Sequence, residues 1–260
     1  RRSPTDGRTG GKKPEQEWEN EMGEALELPI LASSEITPEW MTGALRKAGH
    51  EVTVKELAGK RVGTGQVGES VRFALTYSGD AKGAPSTVVG KFPSSDPDSR
   101  ATGVNFGNYI REVNFYRDLK ASAGVTTPVC LHADVDPETS DFVLLMEDLA
   151  PAQPGDQMKG TSVAEAALVL EEAAKLHASH WNDEAMDDLP WLFETKAAPK
   201  RTQPDLIKLL WQGFRERYGS RIPADCVEIG EAITRNYEFF KDGYDGRKCL
   251  THNDFRPDNM

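Results

Sequence analysis

Gly63-Thr64-Gly65-Gln66-Val67-Gly68 is a G-x-G-x-x-G string, and the ten residues after it restrict the folds open to this chain. A dinucleotide-binding fold needs a helix directly after such glycines. Here Val71, Phe73, Leu75 and Tyr77 alternate with Arg72, Ala74 and Thr76. That is the period of a strand with one face on a core. Residues 79–85 carry turn chemistry, and Thr87 to Phe92 reads as the returning strand of a hairpin. The glycines thus sit at the start of a strand, where their amides can approach an anion. The plainer alternative is a flexible turn.

The rest of the chain divides at a proline-rich break. Thr37-Pro38-Glu39 sets a cap residue before a proline at the first helical position, predicting a helix to about Ala48 that stops at Gly49. A second helix is expected over about 107–122, then strands Cys130–Val135 and Asp141–Met146 around the turn at 136–138. Pro151 and Pro154-Gly155 mark the break. Beyond it Ser162 and Glu165 form a capping box, and Ala166, Leu170, Ala174, His177 and Trp181 recur at helical spacing. On that face packing explains His177 and Trp181, while His180 beside them reads equally well as solvated. Helices are expected near Asp205–Tyr218 and Ala224–Phe240, with Trp211, Phe214 and Tyr218 as core, then a short strand, Lys248–Thr251. The expected fold class is α+β. Residues 1–27 form a polar tail expected to be disordered, 28–150 a β-rich lobe with one main helix, and 151–260 a mostly helical lobe.

Composition narrows the partners. A formal net charge of −11 disfavours a nucleic-acid backbone, which is bound mainly through Lys and Arg. The longest apolar run, Phe142 to Met146, suits a buried strand and is far too short to span a membrane. The polar start lacks the apolar stretch of a signal peptide. Cys130, Cys226 and Cys249 are scattered, which fits a reducing cytoplasm better than a disulfide framework. His50 and His132 have no partners at zinc-ligand spacing. Nothing in the pattern sets an oligomeric state. The acidic run Asp183, Glu184, Asp187, Asp188 reads as a solvated loop.

Four constellations carry chemistry. The last is the sharpest: His252-Asn253-Asp254-Phe255-Arg256-Pro257-Asp258-Asn259, an H-x-D-x-x-x-x-N pattern. Transfer of a phosphoryl group to a hydroxyl needs a carboxylate to take the proton and an oxygen ligand for magnesium. Asp254 and Asn259 have the spacing for both, with His252 orienting the loop through hydrogen bonds. A polar turn capped by Asp and Asn is the plainer account. Gly63, Gly65 and Gly68 would cover nucleotide phosphates. Lys91 lies inside the apolar strand Val88-Val89-Gly90-Lys91-Phe92, where a cation needs a partner unless it faces water from an edge strand. Glu112 shares a helix face with Phe115, Tyr116 and Leu119. It is the natural partner for Lys91, unless it sits solvated at the rim. Each of these is ambiguous alone, but their order along the chain is not.

On these residues the chain resembles the protein-kinase-like superfamily, within it the aminoglycoside phosphotransferase and ecdysteroid-kinase-like group, from about Ile36 to Met260. Ile36-Thr37-Pro38-Glu39-Trp40, Arg111-Glu112-x-x-Phe115-Tyr116 and Leu176-His177-Ala178-x-x-Trp181 look characteristic of that group. The resemblance implies ATP and Mg2+ as cofactors and a small-molecule hydroxyl as acceptor. It implies Asp254 as base, Asn259 as magnesium ligand, and Lys91 with Glu112 as the pair that positions phosphates. Met146 and Glu147 fall at the hinge, whose backbone would hold the adenine. Asn253 stands where protein kinases carry Arg, which favours the small-molecule branch. The second metal-binding Asp of such kinases is missing before Met260. This implies a fragment of a longer enzyme, or a truncated form with little turnover. A pseudokinase or nucleotide-binding interaction module is the competing expectation.

Overall fold

The computed structural model describes residues 27–63, 65, 67–193, 204–242 and 246–259. The polar tail, apart from Glu27, lies outside them. Helix α1 (Pro38–Lys47) begins where expected: the Thr37 hydroxyl accepts the Trp40 N–H at 3.2 Å. Five antiparallel strands come next: β1 (Val54–Val62), β2 (Gly68–Tyr77), β3 (Thr87–Pro93), β4 (Cys130–Val135) and β5 (Phe142–Glu147). They are ordered β1-β2-β3-β5-β4. Between β3 and β4 lie α2 (Pro97–Asn105), α3 (Asn108–Asn114) and a π-helical turn, Phe115–Leu119. The sequence pattern did not reveal α2, although Asp96-Pro97 repeats the cap-and-proline signal of α1 and Asp96 accepts the Ser99 N–H at 2.9 Å.

Strand parity sets the two faces of the sheet. Val71, Phe73 and Leu75 of β2, Val88 and Phe92 of β3, and Val143 and Leu145 of β5 pack with Trp40, Met41 and Leu45 of α1. The opposite face takes Phe142, Leu144 and Met146 of β5 against Tyr109, Ile110 and Val113 of α3. Strand β5 is therefore covered on both faces, which explains its unbroken apolar run.

After the break come α4 (Val163–Ser179), α5 (Pro190–Phe193), α6 (Pro204–Tyr218), α7 (Ala224–Arg235) and α8 (Tyr237–Asp242). The capping box forms: Ser162 Oγ accepts the Glu165 N–H at 3.2 Å and Glu165 Oε2 accepts the Ser162 N–H at 2.8 Å. Several details differ from expectation. Leu176 is the residue of α4 that is buried, while Leu170 and Trp181 are exposed. The helix expected over 224–240 breaks at Asn236, whose side-chain amide caps the Ala232 carbonyl at 2.8 Å. Residues 248–251 pair with no strand among the described residues; Asn182 takes that place, its N–H donating to Lys248 O at 2.8 Å and its Oδ1 accepting the Lys248 N–H at 2.9 Å. Trp211 packs against Gly230, where a Cβ would stand 2.2 Å from the indole. Trp211, Phe214 and Tyr218 do stack in a ladder, but Phe214 and Tyr218 stay exposed, so they are no closed core. Leu209, Leu210, Ile229, Phe239 and Phe240 are exposed as well.

Candidate active site

The hairpin of β1 and β2 carries the glycine string, with Val62 opposite Ser70. Each glycine has a physical reason. Gly63 adopts φ +73°, a Cβ on Gly65 would stand 2.6 Å from the Gly68 carbonyl, and one on Gly68 would stand 3.0 Å from the Phe92 carbonyl. Side chains at Gly65 and Gly68 would thus crowd backbone carbonyls, while at Gly63 it is the left-handed backbone that favours glycine. Thr64 and Gln66 lie outside the described residues.

Lys91 pairs across the sheet with Ser70 on one side and Leu144 on the other. Because Val88, Gly90 and Phe92 point toward α1, Lys91 points toward α3. There its ammonium is bonded to Glu112 Oε1, and the two side chains are 34% and 35% exposed. Both expected partners therefore meet at an accessible edge and not in a sealed core. The pair is positioned to receive a ligand's negative charge without the full cost of desolvation. Next to it, burial and then the Glu112 charge push the Tyr116 phenol above its ordinary value, so Tyr116 stays neutral.

At the end of β5, Met146 is buried and Glu147 is committed to Val129. The Glu147 N–H donates to the Val129 carbonyl at 2.9 Å, and its carboxylate accepts the Val129 N–H at 2.8 Å. No role for the Asp148 side chain was expected from the sequence. Its side chain is only 5% exposed and pairs with Arg72 through Nε at 2.7 Å and Nη2 at 2.9 Å. Burial works to raise its pKa, but Arg72 and the Ala150 N–H outweigh that and hold the carboxyl below the usual range. A signal was present: Arg72 has the same strand parity as Lys91, so it also needs a partner on that face.

In the last described segment, Asn259 Nδ2 donates to Asp254 Oδ2 at 2.7 Å and to the Asp254 carbonyl at 2.9 Å. Arg256 Nε lies 3.1 Å from Asp254 Oδ1. Asn253 takes φ +64°, a left-handed conformation that asparagine tolerates better than most residues. His252 departs from expectation: it is exposed, and its ring meets Phe255 edge-on at 6.1 Å with no hydrogen bond to the loop among the described residues. With Asn259 donating through nitrogen, its Oδ1 is left as a hard donor, the type magnesium takes. Among the described residues no group of three or more His, Cys, Asp or Glu could hold a metal.

The structure therefore forms two polar clusters, Lys91–Glu112 and Asp254–Asn259. Chain connections tie their surroundings together. Gly155, past the end of β5, lies so close to the last loop that a Cβ would stand 2.5 Å from the Pro257 carbonyl. Arg111 on α3 donates to the carbonyls of Leu192 and Phe193, both at 3.1 Å. Thr126 N–H donates to Glu172 of α4 at 2.7 Å. His180, read as solvated or packed, is buried, with Nδ1 2.9 Å from Asp183 Oδ2 and Nε2 3.0 Å from Ser122 Oγ. Within the acidic run, then, Asp183 serves His180 and Asp187 lies 3.6 Å from Lys248.

A sheet with a glycine-rich hairpin, a strand lysine bonded to a helix glutamate, and a helical half ending in an Asp–Asn loop define the chain as a kinase-like protein. The model of the phosphotransferase enzyme family matches residues 80–260, and the chain belongs to that family. No curated protein matches it. Among solved structures, the GDP and kanamycin complex of APH(2")-IIia is similar, at 13% identity and a TM-score of 0.41 over 77% of this chain. The match spans 59% of that protein's chain.

Proposed function

We propose that this chain is the nucleotide-binding and catalytic-loop part of an ATP-dependent phosphotransferase that moves the γ-phosphate to a hydroxyl of a small molecule. The observation that carries the reading is the pair of preformed clusters, Lys91–Glu112 and Asp254–Asn259, in a chain of the phosphotransferase family. In this reading residues 28–150 are the ATP-binding lobe with its hinge, and 151–260 are part of the acceptor-side lobe. In this reading a cleft between them would bring Lys91 and Asp254 to one substrate.

The chemistry rests on the residues. Amides near Gly63, Gly65 and Gly68 cover the phosphates, and Lys91, oriented by Glu112, takes their negative charge. The backbone at Met146 and Glu147 faces the adenine. The Glu147 N–H already serves Val129, so an adenine contact there falls to its carbonyl. The acceptor oxygen attacks the γ-phosphorus, the bond to the β-phosphate oxygen breaks, and the hydroxyl proton passes to Asp254. Asn259 holds Asp254 in place through Nδ2 and presents Oδ1 to Mg2+, which when bound neutralises phosphate charge. His252 shapes the loop through Phe255. Most of the rate gain then comes from positioning and charge stabilisation.

Asp254→Ala in a form of the protein that transfers phosphate should lower turnover at least about 100-fold and leave ATP affinity unchanged. Unchanged turnover would remove Asp254 from the role. A second reading, a nucleotide-binding module without turnover, is favoured by the lack of an acidic metal cluster among the described residues and by the exposed apolar side chains of α6 to α8. Both features also fit a helical lobe of which this chain carries only part. Magnesium-dependent ATP consumption separates the two: we expect little from the 260-residue chain and full turnover from a form that covers those helices. No described helix is long and apolar enough to cross a membrane. The three free cysteines suit a reducing cytoplasm.

A further inference from the structure

Tyr109 lies one turn before Glu112 on α3 and is 3% exposed. Its hydroxyl donates to the carbonyl of Val67 and accepts the Ser94 N–H at 3.3 Å. Val67 immediately precedes β2, and Ser94 immediately succeeds β3. Gly68 opposite Pro93 is the ladder rung between them. One oxygen therefore joins the loop end of β2, the end of β3 and the helix that carries Glu112. The ring is held independently: it packs on Phe142 with centroids 4.8 Å apart, and Gly103 of α2 leaves it room, since a Cβ there would stand 2.3 Å from the ring. A phenylalanine would fill that space equally well. Packing thus explains the ring but not the oxygen. Burial raises the phenol's pKa, against the Ser94 bond and the Arg100 charge, so the donor is retained at neutral pH.

The geometry points to Tyr109 as a positioning residue for the phosphate-facing loop, an inference that rests on the nucleotide-binding role proposed for that loop. Tyr109 and Glu112 share one face of one helix. The same placement of α3 that orients Lys91 therefore also fixes where β2 begins and where the loop amides point. Without the hydroxyl, the Val67 carbonyl loses its partner and the loop samples positions that do not match a bound phosphate chain. Tyr109 touches no substrate; it acts through Val67.

The test is equilibrium binding of magnesium ATP to the full chain by calorimetry, for wild type, Tyr109→Phe, Tyr77→Phe and Lys91→Ala. Tyr77→Phe is the control: its hydroxyl also donates to a carbonyl, that of Pro85 at 2.5 Å, at the other end of the same hairpin. Tyr109→Phe should weaken nucleotide affinity about fivefold, the contribution of one ordinary hydrogen bond. It should also speed amide exchange at Gly68 to Ser70. Tyr77→Phe should leave affinity within about twofold. Wild-type affinity in Tyr109→Phe overturns the proposal, and so does equal weakening in both tyrosine variants, which would mark general softening. A wild type that binds no nucleotide, or binds equally well with Lys91→Ala, fails one step earlier and takes the nucleotide-binding role down with it.

Discussion

Replacing Asp148 with Asn changes one buried charge and almost no volume. Asp148 accepts from Arg72 Nη2 at 2.9 Å and from the Ala150 N–H at 3.1 Å on Oδ1, while Oδ2 lies 2.7 Å from Arg72 Nε. An asparagine can keep its oxygen at the first position, but must then turn an amide nitrogen toward Arg72 Nε, donor against donor. A hydrogen bond to a charged group contributes about 1.5–3 kcal/mol. Arg72 is 40% exposed, so water screens part of this. The expected loss is about 2 kcal/mol, read as a lower denaturant midpoint at unchanged slope. The pH dependence has a definite sign. The folded pKa of Asp148 is depressed, so its contribution is complete above the unfolded value of about 4 and fades as pH falls through the folded one. The stability gap between wild type and Asp148→Asn should therefore be constant from about pH 7 to 5 and narrow in more acid solution. A gap under about 0.5 kcal/mol at neutral pH, or one that widens on acidification, would refute the reasoning.

Two other outcomes test different levels of the structure. Lys91→Met should lower magnesium ATP affinity at least about tenfold while costing under about 1 kcal/mol of stability, because Glu112, 35% exposed, can be solvated where it stands; binding and denaturation measured on the same protein check both halves. Ser162→Ala removes the cap of α4 and should cost about 1 kcal/mol in thermal or denaturant unfolding, with no change in nucleotide affinity.

How much of this was readable from the residues depended on whether a local pattern was complete in itself. The hairpin, α1 and the start of α4 were legible because alternation and capping are local signals, and Thr37 and Ser162 do what their types suggest. The Lys91–Glu112 contact was also legible. A cation and a carboxylate, each on an otherwise apolar face, have few other ways to be satisfied. Strand parity showed that Arg72 needs a partner, but not that the partner is Asp148, since the two meet only once β2 lies beside β3 and β3 beside β5. The helical half misled for a related reason. The face Leu170, Ala174, His177, Trp181 has helical spacing, but the side that packs carries the buried Leu176 and His180, the latter meeting Ser122 and Asp183. The expected strand at 248–251 failed because a strand is defined by its partner, and here the partner is one asparagine, through its backbone N–H and its side-chain oxygen.

Helix α3 is the element on which the arrangement turns, and its brevity explains how. Seven residues cannot hold a helix in water by themselves. What holds α3 is what it touches: Tyr109 bonds the chain before β2, Glu112 bonds Lys91, and Arg111 bonds the Leu192 and Phe193 carbonyls beyond the break. Its far end opens into the π-helical turn, where the Lys120 N–H reaches back to Phe115 at 2.8 Å. That wider turn lets Val113 stay in the core while Leu119, on the next turn, is buried too. Because the helix is held in position by contacts on three sides, loosening one side moves the others. A weakened Arg111 tie should reach the Lys91 site although Arg111 never touches Lys91, since Glu112 is its neighbour in the chain and has no freedom that Arg111 lacks.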